Sequence, residues 1–286
     1  LAGVGREVDI VRTHVSKELE LRVEAPQVLD EDRDLAGRLL SDPQLIAGMR
    51  RCRTLIEQHR STLLFVNTRD TAEALGARYL MWDEEFKVGV HHGSLSKEIR
   101  IDMEERFKEE RLKGLICTSS LELGIDVGSV DFAIQYNSPR QVSRLIQRMG
   151  RSGHRVGERT KGAIVATDPD EIAESLVVAR KAMAGELEEL RVRENPLAVL
   201  ANQLVAMTMS GAANKEMAYF LVRRSYPFRN LSREEFFGVL DQLVRIGLLF
   251  DDQDKFRRTS RGMRYFYDNL SMIPDERTFL IREIGS

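Results

Sequence analysis

The chain contains 286 residues, of which 43 are lysine or arginine and 45 are aspartate or glutamate, so its formal net charge is −2. This length suffices for one large or two medium domains with their own cores, and the balanced charge excludes a uniformly basic exterior but not nucleic-acid binding in a narrow channel. The two cysteines exclude a disulfide framework, and no apolar run approaches about 18 residues, so we expect a cytoplasmic protein without a membrane partner.

Short apolar runs alternate with helical patterns over the first two thirds of the chain. Residues 7–24 predict strands, residues 29–34 predict an acidic connector, and residues 43–59 predict a helix. Five further strands are predicted at Leu63–Val66, Val88–Val90, Leu115–Thr118, Phe132–Gln135 and Ala163–Thr167. Helical patterns lie between them, near 71–82, 97–110 and 139–149. This alternation predicts an α/β fold in which a parallel sheet is covered by helices on both faces.

A second unit begins at Asn195-Pro196, a pair typical of a helix start. Helical spacing follows at 197–204 and 217–224, and a capping box from Ser232 to Glu235 opens a third helix that ends near Gly247. Residues 248–250 and 256–259 flank a polar turn and predict a β-hairpin. Three helices followed by a hairpin predict a small winged-helix domain.

The first polar run of interest follows the predicted strand at Leu115–Thr118. It reads Ile116-Cys-Thr-Ser-Ser-Leu-Glu-Leu-Gly-Ile-Asp126. In open α/β sheets, ligands bind beyond the carboxyl ends of strands. Hydroxyls of Thr118 and Ser119, with nearby backbone N–H groups, are therefore placed to hold a phosphate, and Asp126 to accept a ribose hydroxyl proton.

The second polar run belongs to a helix that we expect to start at Ser138-Pro139 and stop at Gly150. Val142, Leu145, Ile146 and Met149 follow helical spacing and should pack on the sheet. We expect arginines to share the opposite side of the helix, namely Arg140, Arg144, Arg148 and Arg151. A solvated surface explains such a face equally well, but the glycines at 150 and 153 favour close approach of Arg151 and Arg155 to an anion.

Together these runs resemble motifs V and VI of superfamily 2 helicases. The segments Leu63 to Arg69 and His91 to Ser96 resemble the motifs that precede them, in the same order. Two of these motif sequences are most similar to the large helicase-related (Lhr) family, namely Ser-Ser-Leu-Glu-Leu-Gly-Ile-Asp and Arg-Ser-Gly-His-Arg. The resemblance covers roughly residues 1–185 directly, and the rest fits the winged helix of that family.

The resemblance implies a second RecA-like motor domain over residues 1–188 and a winged-helix domain over residues 189–286. Its partner is a first RecA-like domain, and the two close on ATP while holding a single nucleic-acid strand, DNA or RNA. The resemblance makes Arg151 an arginine finger, with Arg155 favoured over His154 as the second. The nucleotide contacts it implies are Gln147, Arg148, Gly124 and Asp126.

Nucleic-acid contacts are expected at Asn67, Arg69, His92, Gly93, Thr118 and Ser119. Some of these positions have a purely structural alternative. Thr68 suits the cap of the next helix. His91 and His92 suit a pair that supports the turn before Gly93. A metal site at these histidines is not expected, because no third ligand has suitable spacing.

Two elements of an ATPase are missing from the sequence. There is no G-x-x-x-x-G-K-[ST] phosphate loop, and no apolar strand ends in an Asp-Glu pair that would hold Mg²⁺. We therefore expect a fragment of a longer ATP-dependent helicase, with the Mg²⁺ ligands outside this chain, that does not hydrolyse ATP by itself.

The winged-helix region carries a late basic cluster, Arg257, Arg258, Arg261 and Arg264. Three aspartates lie close by in the sequence and weaken its field, so packing against the motor domain is favoured over direct DNA binding. An alternative for the whole chain is a winged-helix DNA-binding regulator without ATPase activity. That alternative leaves four ordered motifs to coincidence.

Overall fold

The computed structural model describes residues 3–9, 11, 19–122, 127–153 and 160–270. The chain divides into two compact units, one over residues 13–189 and one that joins residues 190–286 to the first twelve. The predicted domain boundary lay at 188/189.

The first unit is built on a six-stranded sheet in which every neighbouring pair of strands is parallel. Its strands are β1 (Leu19–Glu24), β2 (Thr62–Phe65), β3 (Val88–His91), β4 (Gly114–Cys117), β5 (Phe132–Tyr136) and β6 (Thr160–Val165). Their spatial order is β1-β6-β5-β2-β4-β3. The strands β2, β4 and β5 are buried at every position, as expected for short apolar runs covered on both sides.

In the part of the chain that the structure describes, six helices accompany the sheet. They are α1 (Asp30–Leu39), α2 (Pro43–Gln58), α3 (Arg69–Trp82), α4 (Lys97–Lys108), α5 (Val142–Met149) and α6 (Pro169–Ala184). One core cluster joins α1, α2 and α3 to the sheet, and a second joins α4, α5 and α6 to it. The predicted parallel sheet with helices on both faces is confirmed.

Two predictions about helices were wrong. Residues 29–34 are not a connector, because Asp30 opens α1 and Asp32 is buried against Arg50, with Nε–Oδ1 at 2.8 Å. The helix expected from Ser138 begins only at Val142. Arg140 has φ of +66°, a left-handed conformation that a right-handed helix cannot contain.

The second unit contains the predicted helices and hairpin, with shifted bounds. It comprises α7 (Leu197–Met207), β7 (Ala213–Asn214), α8 (Lys215–Arg223), α9 (Arg233–Arg245), β8 (Leu249–Asp252), β9 (Lys255–Arg258) and α10 (Ser260–Asp268). Ser232 and Glu235 form the predicted capping box at the start of α9. The strand β7 and the helix α10 were not predicted. Within the described ranges, no helix combines the length and apolarity that crossing a bilayer requires.

Candidate nucleotide and nucleic-acid site

The carboxyl ends of the six parallel strands form one rim of the sheet, here called the carboxyl edge. Strands β5, β2, β4 and β3 are consecutive neighbours, so the segments that follow them come together at this edge. Those segments contain Ser138 after β5, Asn67 after β2, Thr118 after β4 and His92 after β3. The residues predicted to contact nucleic acid are therefore brought to a single rim.

Arg148 on α5 is the centre of a buried polar network at this edge. Its side chain is 1% exposed, and its Nε donates to Oε1 of Glu122 at 2.8 Å. Nη1 donates to Oδ1 of Asn67 at 3.0 Å and to Oε1 of Gln135 at 2.5 Å. The expectation that Arg148 lies on an exposed arginine face with Arg140, Arg144 and Arg151 was wrong.

The network explains how a charged side chain is accommodated inside the sheet–helix core. Burial lowers the pKa of Arg148, and the hydrogen bond and charge of Glu122 oppose that shift. The guanidinium also lies over the ring of Phe65, 5.5 Å from its centroid. Arg148 thus ties together α5, the segment after β4 and the segment after β2, and its contacts are internal.

Glu122 and Gln135 are functional neighbours that the sequence analysis missed. A signal for Arg148 did exist, since position 148 lies three residues after the buried Leu145 and next to the buried Met149. An arginine at the border of an apolar stripe needs an acidic partner. The run from Ile116 to Asp126 contains two carboxylates, and that of Glu122 supplies this partner.

The segment after β2 divides its roles among three residues. Asn67 donates through Nδ2 to the carbonyl of Ser138 at 2.7 Å while it accepts from Arg148. Thr68 is the N-cap of α3, since its Oγ1 accepts from the backbone N–H of Thr71 at 3.1 Å. Arg69 extends into solvent with 68% of its side chain exposed. Of these three, Arg69 offers an exposed charge, and its Nε lies 3.4 Å from Oδ1 of Asp70.

Both histidines at the end of β3 are buried and paired with carboxylates. Nε2 of His91 is 2.9 Å from Oε1 of Glu104, and its Nδ1 is 2.9 Å from Oγ of Ser120. Nε2 of His92 lies 2.6 Å from Oε1 of Glu73, and its Nδ1 is buried with no partner among the described residues. The contacts of His91 with Glu104 and Ser120 fit the structural alternative. Gly93, which follows the pair, is exposed.

Thr118 and Ser119 occupy the start of the segment after β4. Thr118 is half-buried, and Ser119 is exposed and opens a short 3₁₀ helix, Ser119–Leu121. Their hydroxyls lie at the carboxyl edge, as the sequence predicted. Gly124 and Asp126, which follow in the same run, lie outside the described residues.

The end of α5 presents Arg151 in a different environment from the other arginines of this region. Arg140 pairs with Glu171 and Glu174, and Arg144 and Arg148 both approach Glu122. Arg151 has no acidic partner in the described part of the chain, and its Nε is buried without a hydrogen-bond partner there.

Arg151 has further predicted site residues close to it in the sequence. Gln147, one turn earlier in α5, is exposed. Arg155 and His154 lie outside the described residues. Across the ranges that the structure covers, no group of three or more His, Cys, Asp or Glu could hold a metal ion.

Comparison with protein families identifies the two units. Residues 47–156 match the helicase conserved C-terminal domain, and residues 180–268 match the winged helix domain of the large helicase-related protein. The chain belongs to the large helicase-related (Lhr) family. Its first unit is the second RecA-like domain of such a helicase and its second unit is the Lhr winged helix, which favours the helicase over the alternative of a winged-helix DNA-binding regulator without ATPase activity.

Individual relatives support this assignment. The chain is 36% identical over 287 residues to the ATP-dependent helicase Lhr-Core of Methanocaldococcus jannaschii, covering 96% of this chain and 33% of that protein. It is 34% identical over 299 residues to the Lhr-Core of Methanothermobacter thermautotrophicus, covering 98% and 34%. The chain therefore spans about one third of the length of these relatives.

A solved structure of Mycobacterium smegmatis helicase Lhr bound to ssDNA and AMP-PNP superposes with a TM-score of 0.81 at 32% identity. The match covers 92% of this chain and 35% of that one. The fold of this chain is thus that of the corresponding part, about one third, of the M. smegmatis Lhr helicase.

Three of the four arginines in the late basic cluster make contacts within their own unit. Arg257 pairs with Asp252 at 2.7 Å, and Nη1 of Arg258 donates to the carbonyl of Thr208 at 2.6 Å. Arg261 donates to the carbonyl of Ile246 at 3.1 Å, close to the end of α9. These bonds hold the three side chains within the winged helix, and the carboxylate of Asp252 offsets the charge of Arg257.

Proposed function

We propose that these residues are the second motor domain and winged helix of an ATP-dependent translocase that moves along single-stranded DNA. In this proposal, a first RecA-like domain of the same protein binds ATP and Mg²⁺. This chain supplies Arg151, and Arg155 as a second finger, to the γ-phosphate, while Gln147 contacts the nucleotide. The M. smegmatis Lhr helicase, a relative solved with both ssDNA and AMP-PNP bound, supports this substrate class.

One observation carries the proposal, namely the unpartnered Nε–H of Arg151. A buried N–H without an acceptor is costly, so a ligand that supplies an acceptor to Nε of Arg151 would be favoured there. A γ-phosphate oxygen is such an acceptor, and Arg matches it with charge and geometry. Arg151 therefore fits a nucleoside triphosphate. The Mg²⁺ ligands are proposed to lie in the first domain.

Arg148 receives a different task in this proposal from the one that the sequence suggested. Its donors are directed to Glu122, Asn67 and Gln135, so it holds the loops of the carboxyl edge against α5. Because α5 also leads directly into Arg151, the same side-chain network links the nucleotide side to the strand side. Asn67, Arg69, Gly93, Thr118 and Ser119 are proposed to line the DNA backbone, with His92 supporting Gly93.

The test is Arg151→Ala in the full-length protein. Arginine fingers act on the transition state, so kcat for ATP should fall by about 10³-fold or more while the KM for ATP changes little. Arg180→Ala, an exposed arginine of α6, is the matched control and should leave both constants unchanged. ATPase kinetics with saturating single-stranded DNA measure kcat and the KM for ATP. A kcat of Arg151→Ala within about twofold of wild type would contradict the proposal.

A further inference from the structure

The first turn of α5 lacks a cap of its own. Its N-cap residue is Gln141, whose extended backbone is suited to capping but whose side chain makes no cap hydrogen bond. The leading N–H groups of a helix have no partner within the helix. Those of Val142 and Ser143 therefore need an acceptor from elsewhere.

Glu188 supplies that acceptor from the segment beyond α6. One carboxylate oxygen accepts from the N–H of Val142, and the other accepts from the N–H of Ser143 at 3.0 Å. Hydrogen bonds from the Ser143 and Val142 amides lower the pKa of Glu188 to about 2. The group is thus ionised at physiological pH, and its charge suits the positive end of the helix dipole.

A glycine turn directs the chain so that Glu188 can reach α5. Gly185 ends α6 with φ of +72°, and the N–H of Glu186 bonds back to the carbonyl of Lys181 at 2.9 Å. This left-handed C-cap reverses the chain and is accessible to glycine without strain. Glu188 follows three residues later, at the last residues of the first unit.

We propose that Glu188 is a positioning residue for ATP hydrolysis: by holding the first turn of α5, it sets the position of Arg151 beyond the other end. This inference rests on the proposed function of Arg151. The eight residues of α5 form a rod of about 12 Å, so a shift at its start is transmitted to its end. Misplacing a catalytic group by about 1 Å can cost as much as 10²-fold in rate.

Glu188→Gln in the full-length protein tests the proposal. The amide side chain keeps the size but loses the charge and one of the two acceptors. We expect kcat for DNA-stimulated ATP hydrolysis to fall about tenfold, with the KM for ATP within about twofold of wild type. Glu186→Gln makes the same charge change on an exposed side chain two residues away and should leave kcat unaltered.

A rescue variant separates positioning from a general loss of stability. Gln141→Asp places a carboxylate at the N-cap itself, where it accepts from the second or third N–H of α5. In the Glu188→Gln background, this second change should restore most of the lost turnover. If turnover stays low although the double variant is as stable as wild type, the carboxylate acts elsewhere and the proposal is wrong.

Hydrogen exchange gives a readout that does not depend on ATPase activity. Glu188→Gln should speed exchange of the Val142 and Ser143 amides, and Gln141→Asp should slow exchange of the Ser143 amide again. Faster exchange with unchanged kcat would overturn the positioning role while leaving the proposed function of Arg151 intact. If Arg151→Ala also left kcat unchanged, the proposed function itself would have failed.

Discussion

At the level of single residues, the buried pair of Arg148 and Glu122 governs how the site is held together. Two charges removed from water are tolerated only when each is paired and hydrogen-bonded. Arg148 meets this condition through hydrogen bonds to Glu122, Asn67 and Gln135. Glu122 meets it through its contacts with Nε and Nη2 of Arg148. Removing one partner leaves the other charged and without its main contact.

Arg148→Met should therefore destabilise the first unit by about 3–5 kcal/mol, because Glu122 stays buried and, among the described residues, keeps only the distant Arg144, whose Nε lies 3.9 Å from its Oε1. Urea unfolding followed by the fluorescence of Trp82, the one tryptophan of the sequence, reports on this unit. Adding Glu122→Leu to Arg148→Met removes the orphaned charge and should recover most of the loss. If the free energy of unfolding of Arg148→Met lies within about 1 kcal/mol of the wild-type value, the pair contributes little to stability.

At the level of elements, the contact of α5 with β6 depends on a glycine. A Cβ at Gly162 would lie 2.7 Å from the carbonyl oxygen of Ala133 in β5 and 2.2 Å from Sδ of Met149. Met149 could turn aside, but the carbonyl belongs to the neighbouring strand and cannot. Both contacts lie under the helix that carries Arg148.

Gly162→Ala should thus destabilise the first unit by about 1–3 kcal/mol through overpacking. Gly37→Ala is the matched control, since Gly37 is exposed in α1 and its Cβ would meet nothing within 4 Å. The control should be neutral or stabilise by about 0.5–1 kcal/mol through helix propensity. Thermal unfolding measures the stability of both variants. If Gly162→Ala and Gly37→Ala changed it equally, the close packing of α5 on the sheet would be contradicted.

Local patterns were sufficient to predict most elements, and long-range contacts account for the errors. The buried strands and the box at Ser232 and Glu235 are encoded in a few adjacent residues, so their positions were predicted closely. The start of α5 was not, because Ser138-Pro139 resembles a helix start while Glu171 holds the N–H of Ser138 at 2.6 Å, from 33 residues away. The cap by Glu188 was hidden for the same reason.

The candidate site divides in a similar way. The position of Thr118 and Ser119 at the carboxyl edge was predicted, because these polar residues follow a short apolar strand. The inward direction of Arg148 depends on Glu122 and Gln135, which lie 26 and 13 residues before it in the chain. No short window of sequence contains that information.

At the level of the whole molecule, the proposed function requires these residues to supply only part of an ATPase site. The 286 residues contain no phosphate loop of the form G-x-x-x-x-G-K-[ST]. Purified residues 1–286 should therefore show no ATP hydrolysis above background, with or without single-stranded DNA. Hydrolysis that is stimulated by DNA and abolished by Arg151→Ala would mean that these residues contain a complete site, contrary to this expectation.

The overall charge of −2 implies that any DNA binding by this chain depends on a few local cations rather than on its whole surface. Arg69 is the exposed arginine among the proposed contacts at the carboxyl edge, so Arg69→Gln should weaken binding of single-stranded DNA to residues 1–286 irrespective of sequence. Loss of one phosphate contact should also reduce the slope of log K against log salt concentration by about 0.7. Fluorescence anisotropy across a salt series measures the slope, and Arg180→Gln, a change of the same charge near the far end of α6, should leave it unaltered. An unchanged slope for Arg69→Gln would place the DNA backbone away from the segment that follows β2.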